Sequence, residues 1–210
     1  TRNIEILKMI LEDFRVSKSS LEERGYTRVT ALSSAVMSAS VEIVKMLLDD
    51  SRMDEVIFNH TPPYYGYDYT GNILHVAIKH RGDIELINLL LQDSRMSARL
   101  MTVEAGWNNA TALQTAVRTG NVEIVKLILE SQHLDSSIIN KIDSFGNTIL
   151  HTATEVGNIE ILQMILRDPR LETVKLLKTR NSDGKIPMSI AYTKKFREIE
   201  DLLRSYWNGY

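Results

Sequence analysis

At 210 residues, 43% hydrophobic and 25% charged, the chain can bury a continuous core, and its net charge of −2 offers no broadly basic surface for nucleic acid. It has no cysteine, which excludes disulfides, thiol catalysis and cysteine-ligated zinc. No stretch approaches the roughly 18 consecutive apolar residues of a membrane span, and no signal-peptide pattern is present.

The first predicted element is NIEILKMIL (3–11), an apolar helical segment followed by a loop, DFRV (13–16). A longer phrase, VTALSSAVMSASVEIVKMLL (29–48), contains two short apolar segments and leads into DDSRM (49–53). The connection FNHTPPYYGYDYTG (58–71) is the longest insert in the chain, and the phrase then returns as GNILHVAIKHRGDIELINLLL (71–91), with QDSRM (92–96) after it. Further copies are ATALQTAVRTGNVEIVKLIL (110–129), GNTILHTATEVGNIEILQMIL (146–166) and the divergent GKIPMSIAYTKKFREIEDLL (184–203). The last copy has Lys195 where the others have glycine, and it carries Phe196, Tyr206 and Trp207, as a C-terminal cap would.

The alanines Ala35, Ala77, Ala116, Ala153 and Ala191 lie 42, 39, 37 and 38 residues apart. A period of this length with two short apolar segments per unit means a stacked helical solenoid. In NVEIVKLIL, Val122, Ile124, Val125, Leu127, Ile128 and Leu129 suit a helix sandwiched between neighbours, leaving Glu123, Lys126 and Glu130 to solvent. Gly82, Gly120 and Gly157 stand between the two segments, where the chain must reverse. The recurring Asp-x-Arg reads as a device at the helix C-terminus, its Arg reaching the last carbonyls, and ETVKLL (172–177) predicts a short extra turn below the loop.

TILHTA (148–153), NILHVA (72–77), GNVEIVKLIL and GNIEILQMIL resemble the signature phrases of the ankyrin-repeat family. The resemblance spans about residues 1–205 and implies an all-α, ankyrin-type helical solenoid with about five repeats, a leading half repeat and hairpin-like loops. The common repeat has about 33 residues, so each unit here carries roughly four to nine extra. The expected organisation is a single domain over 1–210, with a partial first repeat at 1–16 and a divergent cap at 181–210. Because 3–11 supplies only a second helix, the chain reads as a fragment of a longer one.

No catalytic, cofactor or metal residues are expected. His75 and His151 occupy the family's LH position, where the resemblance implies that the imidazole ties neighbouring loops together; Gln114, Ser33 and Ser189 can also hydrogen-bond at the matching sites. His60, His80 and His133 show no metal-binding spacing, and no glycine-rich phosphate loop occurs.

The resemblance places partner binding on the hairpin tips and the exposed end of each first helix. Tyr26, Tyr69, Trp107 and Phe145 put an aromatic near four successive tips, beside Asn108 and Lys185. First-helix positions add Lys79, His80, Arg118 and Glu155. Tyr64, Tyr65, Tyr67 and Tyr69 sit in the long insert beside Pro62 and Pro63, where tyrosines offer amphipathic contact area and prolines lower the cost of ordering. Exposed aromatics of this kind dominate many interfaces, truncation costing on the order of 2 kcal/mol or more. Packing of these rings on neighbouring loops is the competing reading.

The expectation is therefore a monomeric, cytoplasmic module that binds a partner protein or peptide, not nucleic acid or membrane, and needs no cofactor. The long repeats loosely resemble those of intracellular bacterial effectors and large viruses, which admits delivery into a host cell. Two other readings stay open: the targeting or regulatory region of a multidomain enzyme, and a spacer or self-assembling scaffold.

Overall fold

The computed structural model describes residues 2–13, 15–22, 30–38, 40–54, 58, 71–80, 82–106 and 108–208. Its helices fall into two compact units, Thr1–Trp107 and Asn108–Tyr210. The expected all-α, ankyrin-type solenoid is what each unit displays: a short helix, a tight turn and a second helix, repeated and stacked.

In the first unit the helices are α1 (Arg2–Glu12), α2 (Lys18–Glu22), α3 (Ala31–Met37), α4 (Val41–Asp49), α5 (Ile73–His80), α6 (Ile84–Gln92) and α7 (Ala98–Met101). The pairs α3/α4 and α5/α6 stack first helix on first helix and second on second, and α1 lies against α4. Each second helix buries one apolar face: Val44, Leu47 and Leu48 in α4, and Leu86, Ile87, Leu90 and Leu91 in α6. On α1, Ile6 and Ile10 correspond by spacing to Leu86 and Leu90, yet they are 49% and 47% exposed.

The second unit runs α8 (Ala112–Thr119), α9 (Val122–Leu129), α10 (Ser136–Ile139), α11 (Ile149–Val156), α12 (Ile159–Arg167), α13 (Thr173–Lys178), α14 (Pro187–Lys194) and α15 (Arg197–Asn208). First helices α8, α11 and α14 stack in order, as do second helices α9, α12 and α15. Thr111 and Thr148 begin α8 and α11 by accepting from the backbone N–H three residues on, which satisfies one of the orphan donors of the first turn. Gly120 (φ 73°) and Gly157 (φ 79°) end these helices in the left-handed conformation. At Gly157 a Cβ would also come within 2.7 Å of the Phe196 ring. Lys195 takes the same left-handed turn, at φ 61°.

After each of α1, α6, α9 and α12 the chain folds into one short helix. α2, α7, α10 and α13 bury Leu21, Leu100 and Met101, Ile138 and Ile139, and Leu176 and Leu177 respectively. The predicted turn at 172–177 is α13, and α2, α7 and α10 are its counterparts.

The Asp-x-Arg motif works differently from the expectation. Arg52, Arg95 and Arg170 each bind both oxygens of their own Asp50, Asp93 and Asp168. Each guanidinium then reaches back to the preceding repeat. Arg95 donates to the carbonyls of Leu48 (2.7 Å) and Met53 (3.1 Å), and Arg170 to those of Leu129 (2.6 Å) and Leu134 (2.8 Å). Arg52 donates to Leu11 at 2.7 Å and also to the Val16 carbonyl. The satisfied carbonyls belong to the previous second helix and the loop after it, so the motif is a clamp between repeats rather than a cap on its own helix. Burial works to raise the Asp93 and Asp168 carboxyls, but the bonds from Arg95 and Arg170 outweigh it and hold both below the ordinary carboxylate value. Arg95 additionally lies 5.1 Å over the ring of the buried Phe58. At 131–133 the loop has Ser131 and His133 in place of Asp and Arg, and only the local bond from His133 N to Ser131 Oγ is kept.

Candidate functional site

The best-defined hairpin tip of the second unit is built on Asp143, whose side chain is 1% exposed. Its Oδ1 accepts from the backbone N–H groups of Phe145 (2.9 Å) and Asn147 (2.8 Å). Oδ2 accepts from the side-chain amides of Asn108 and Asn147, both at 3.3 Å. Gly146 makes the turn at φ 73°, and a Cβ there would lie 3.1 Å from the backbone of Asn181 on the next tip.

Adjacent tips are linked through their backbones. Ser144 N donates to Asn108 O (2.9 Å), and Ser182 N donates to Phe145 O (2.8 Å). Asn181 repeats the role of Asp143 without the charge: its Oδ1 accepts from Asp183 N and Lys185 N. Its amide donates to Asn147 Oδ1 at 2.9 Å.

Beneath the tips, the first helices hold the hairpins in place. His151 Nδ1 accepts from Thr148 N–H at 3.2 Å, and Nε2–H donates to the Lys185 carbonyl at 2.9 Å. Burial holds this imidazole below its usual pKa, against the opposing pull of the Lys185 carbonyl and the Asp143 charge. Gln114 makes the same pair of bonds one repeat earlier: Oε1 accepts from Thr111 N–H at 3.0 Å and Nε2 donates to Asn147 O, the counterpart of Lys185 O, at 3.4 Å, with a further bond to Lys141 O at 3.0 Å. In the first unit Asn72 Nδ2 donates to Leu100 O, and His75 Nδ1 bonds Asn72 Oδ1. His151 and Gln114 each bond the next hairpin, the role implied for the LH position, and His75 bonds locally to Asn72.

The expected partner-facing residues divide into three groups. Arg118, Phe145, Glu155 and Lys185 are exposed in the second unit, on the tips and first-helix ends. Arg118 Nη2 stands 3.8 Å from Asp143 Oδ2, and Glu155 is paired with Lys194 at 2.6 Å. In the first unit Lys79 is half-buried and His80 exposed, both in the last turn of α5. Asn108, expected on the exposed tip, is instead 4% exposed, because its amide is turned inward to Asp143. Tyr26, Tyr64, Tyr65, Tyr67, Tyr69 and Trp107 lie outside the described residues.

Asp143 itself was not singled out from sequence. The signal was available in the shared spacing of Asp143 to Gly146 and Asn181 to Gly184, an Asx side chain three residues before a turn glycine. Among the described residues no group of three or more His, Cys, Asp or Glu could hold a metal ion, and no helix is long and apolar enough to cross a membrane.

Residues 74–176 match the family model described as ankyrin repeats (3 copies). No curated protein matches the chain.

Proposed function

Because the chain belongs to the ankyrin-repeat family, a non-catalytic fold whose repeats generally bind other proteins, we propose that it is an interaction module that captures a partner protein through the hairpin tips and first-helix ends. The observation that supports this most directly is the division of labour at the 143–147 tip. Asp143, Asn108 and Asn147 spend their polar groups on holding the turn, while Phe145 and Arg118 stay exposed beside it. A tip whose backbone is already fixed loses little conformational freedom when a partner docks.

The test is a triple variant, Arg118→Ala, Phe145→Ala and Lys185→Ala, compared with the parent chain in affinity capture from a source lysate. Captured proteins are then produced and their Kd values measured. Loss of binding with an unchanged circular dichroism melt is the expected result. Equal Kd values for variant and parent would remove this face from the function.

A further inference from the structure

Resting on that reading, we infer that the partner segment presents a carboxylate to Arg118 and an apolar side chain to Phe145. The inference starts from where the charges of this face are already committed. Asp143 takes its hydrogen bonds from two backbone N–H groups and two neutral amides. Arg118, at 3.8 Å, is outside hydrogen-bonding distance and makes no hydrogen bond among the described residues. Its side chain is 44% exposed, and the guanidinium carries a planar set of donors suited to bidentate capture of a carboxylate.

Of the acidic groups nearby, Glu155 is directly paired and Asp183 is open to solvent. Glu155 is held by Lys194, which bonds its carboxylate at 2.6 Å and its carbonyl at 3.1 Å. Asp183 stands 3.8 Å from Lys185. Around the two tips and the first-helix ends, Arg118, Arg180, Lys185, Lys194 and Lys195 face Asp143, Glu155 and Asp183, five cations against three anions. This local surplus of positive charge favours an acidic partner over a cationic one, and Arg118 has donors to spare for its carboxylate.

The apolar half follows from Phe145. The residue is 37% exposed, and both of its backbone polar groups are engaged, N–H with Asp143 and C=O with Ser182. A partner cannot add a strand at this residue, so recognition there rests on the side chain. Arg118 and the backbone of Phe145 both meet the buried Asp143, and the two side chains together form a small two-part receptor for acidic and apolar side chains close in a partner's sequence.

The probe is a displayed library of random peptides about twelve residues long, panned on the full chain. Enriched peptides should carry Asp or Glu within a few residues of Leu, Ile, Phe or Met. As synthetic peptides they should lose roughly tenfold or more in affinity to Arg118→Gln and to Phe145→Ala, with Arg118→Lys recovering only part. Their binding should weaken with added salt, and Lys126→Ala on α9 should leave it unchanged. Enriched peptides that need Phe145 and Lys185 but carry no acid, or ignore Arg118→Gln, would overturn the acidic-partner inference while leaving the binding face standing. Peptides insensitive to every one of these substitutions would remove both.

Discussion

The Nε2–H of His151 meets the carbonyl of Lys185 at 2.9 Å, and so a buried imidazole in one repeat fixes the hairpin of the next. Gln114 makes the equivalent pair of bonds, to Thr111 N–H and Asn147 O, in the preceding repeat. His151→Gln should therefore keep stability within about 1 kcal/mol of the parent, whereas His151→Ala should lose about 2–3 kcal/mol by leaving the buried Thr148 N–H without its acceptor and a cavity beside it. The same pair of variants separates a pH effect. Burial depresses the His151 pKa below its ordinary 6.5, so the unfolded chain takes up the proton first. This contribution is complete above about pH 6.5, falls as pH drops below it, and levels off beneath the folded pKa. Urea unfolding at pH 7.5 and 5.5 should show a larger drop for the parent than for His151→Gln.

The repeat clamp predicts a strong preference for arginine. Arg170 makes contacts with two carbonyls and both oxygens of Asp168 at once, a geometry that a single ammonium cannot match. Arg170→Ala should cost about 2 kcal/mol, and Arg170→Lys should regain less than half of it. Chemical denaturation of the three proteins decides it, and equal stability for the Lys variant and the parent would refute the clamp.

Thr154 is fully buried on α11, and its hydroxyl has no hydrogen-bond partner. Valine has nearly the same shape and no polar atom to desolvate. Thr154→Val should raise stability by about 1 kcal/mol, read as a higher urea midpoint with an unchanged slope. A lower midpoint would show that the hydroxyl is satisfied in solution.

Lys195 and Gly157 occupy the same left-handed turn in successive repeats, at φ 61° and 79°. Lys195→Gly removes Cβ strain but adds freedom to the unfolded chain, for a net gain of about 0.5 kcal/mol. Gly157→Ala has both terms against it and the Phe196 ring 2.7 Å from the new carbon, so a loss of more than about 2 kcal/mol is expected. Thermal melts of the two variants should move in opposite directions.

Features that repeat were the legible ones. The helix pairs, the turn at Gly120 and Gly157 and the bridging role of His151 follow from spacing, because the same residue type returns wherever the same backbone problem returns. The reach of Arg52, Arg95 and Arg170 was only half legible. Sequence marks a helix end beside each arginine, but which helix supplies the carbonyls depends on how repeats stack. The inward turn of Asn108 was not legible at all. An Asn in a loop is ordinarily solvent-facing, and it is Asp143, 35 residues later, that draws this one under the surface.

The clamp also shows where the chain is free to change length. Arg52 and Arg170 reach carbonyls 41 and 36 residues behind them, while Arg95 reaches 47 and 42. The same two bonds form although six more residues lie between the partners, so the tie gauges distance in space and ignores the contour of the chain. Evolution can therefore lengthen the connection between Met53 and the next hairpin, residue by residue, without renegotiating the stacking of helices on either side. That connection is a natural place to graft a foreign loop.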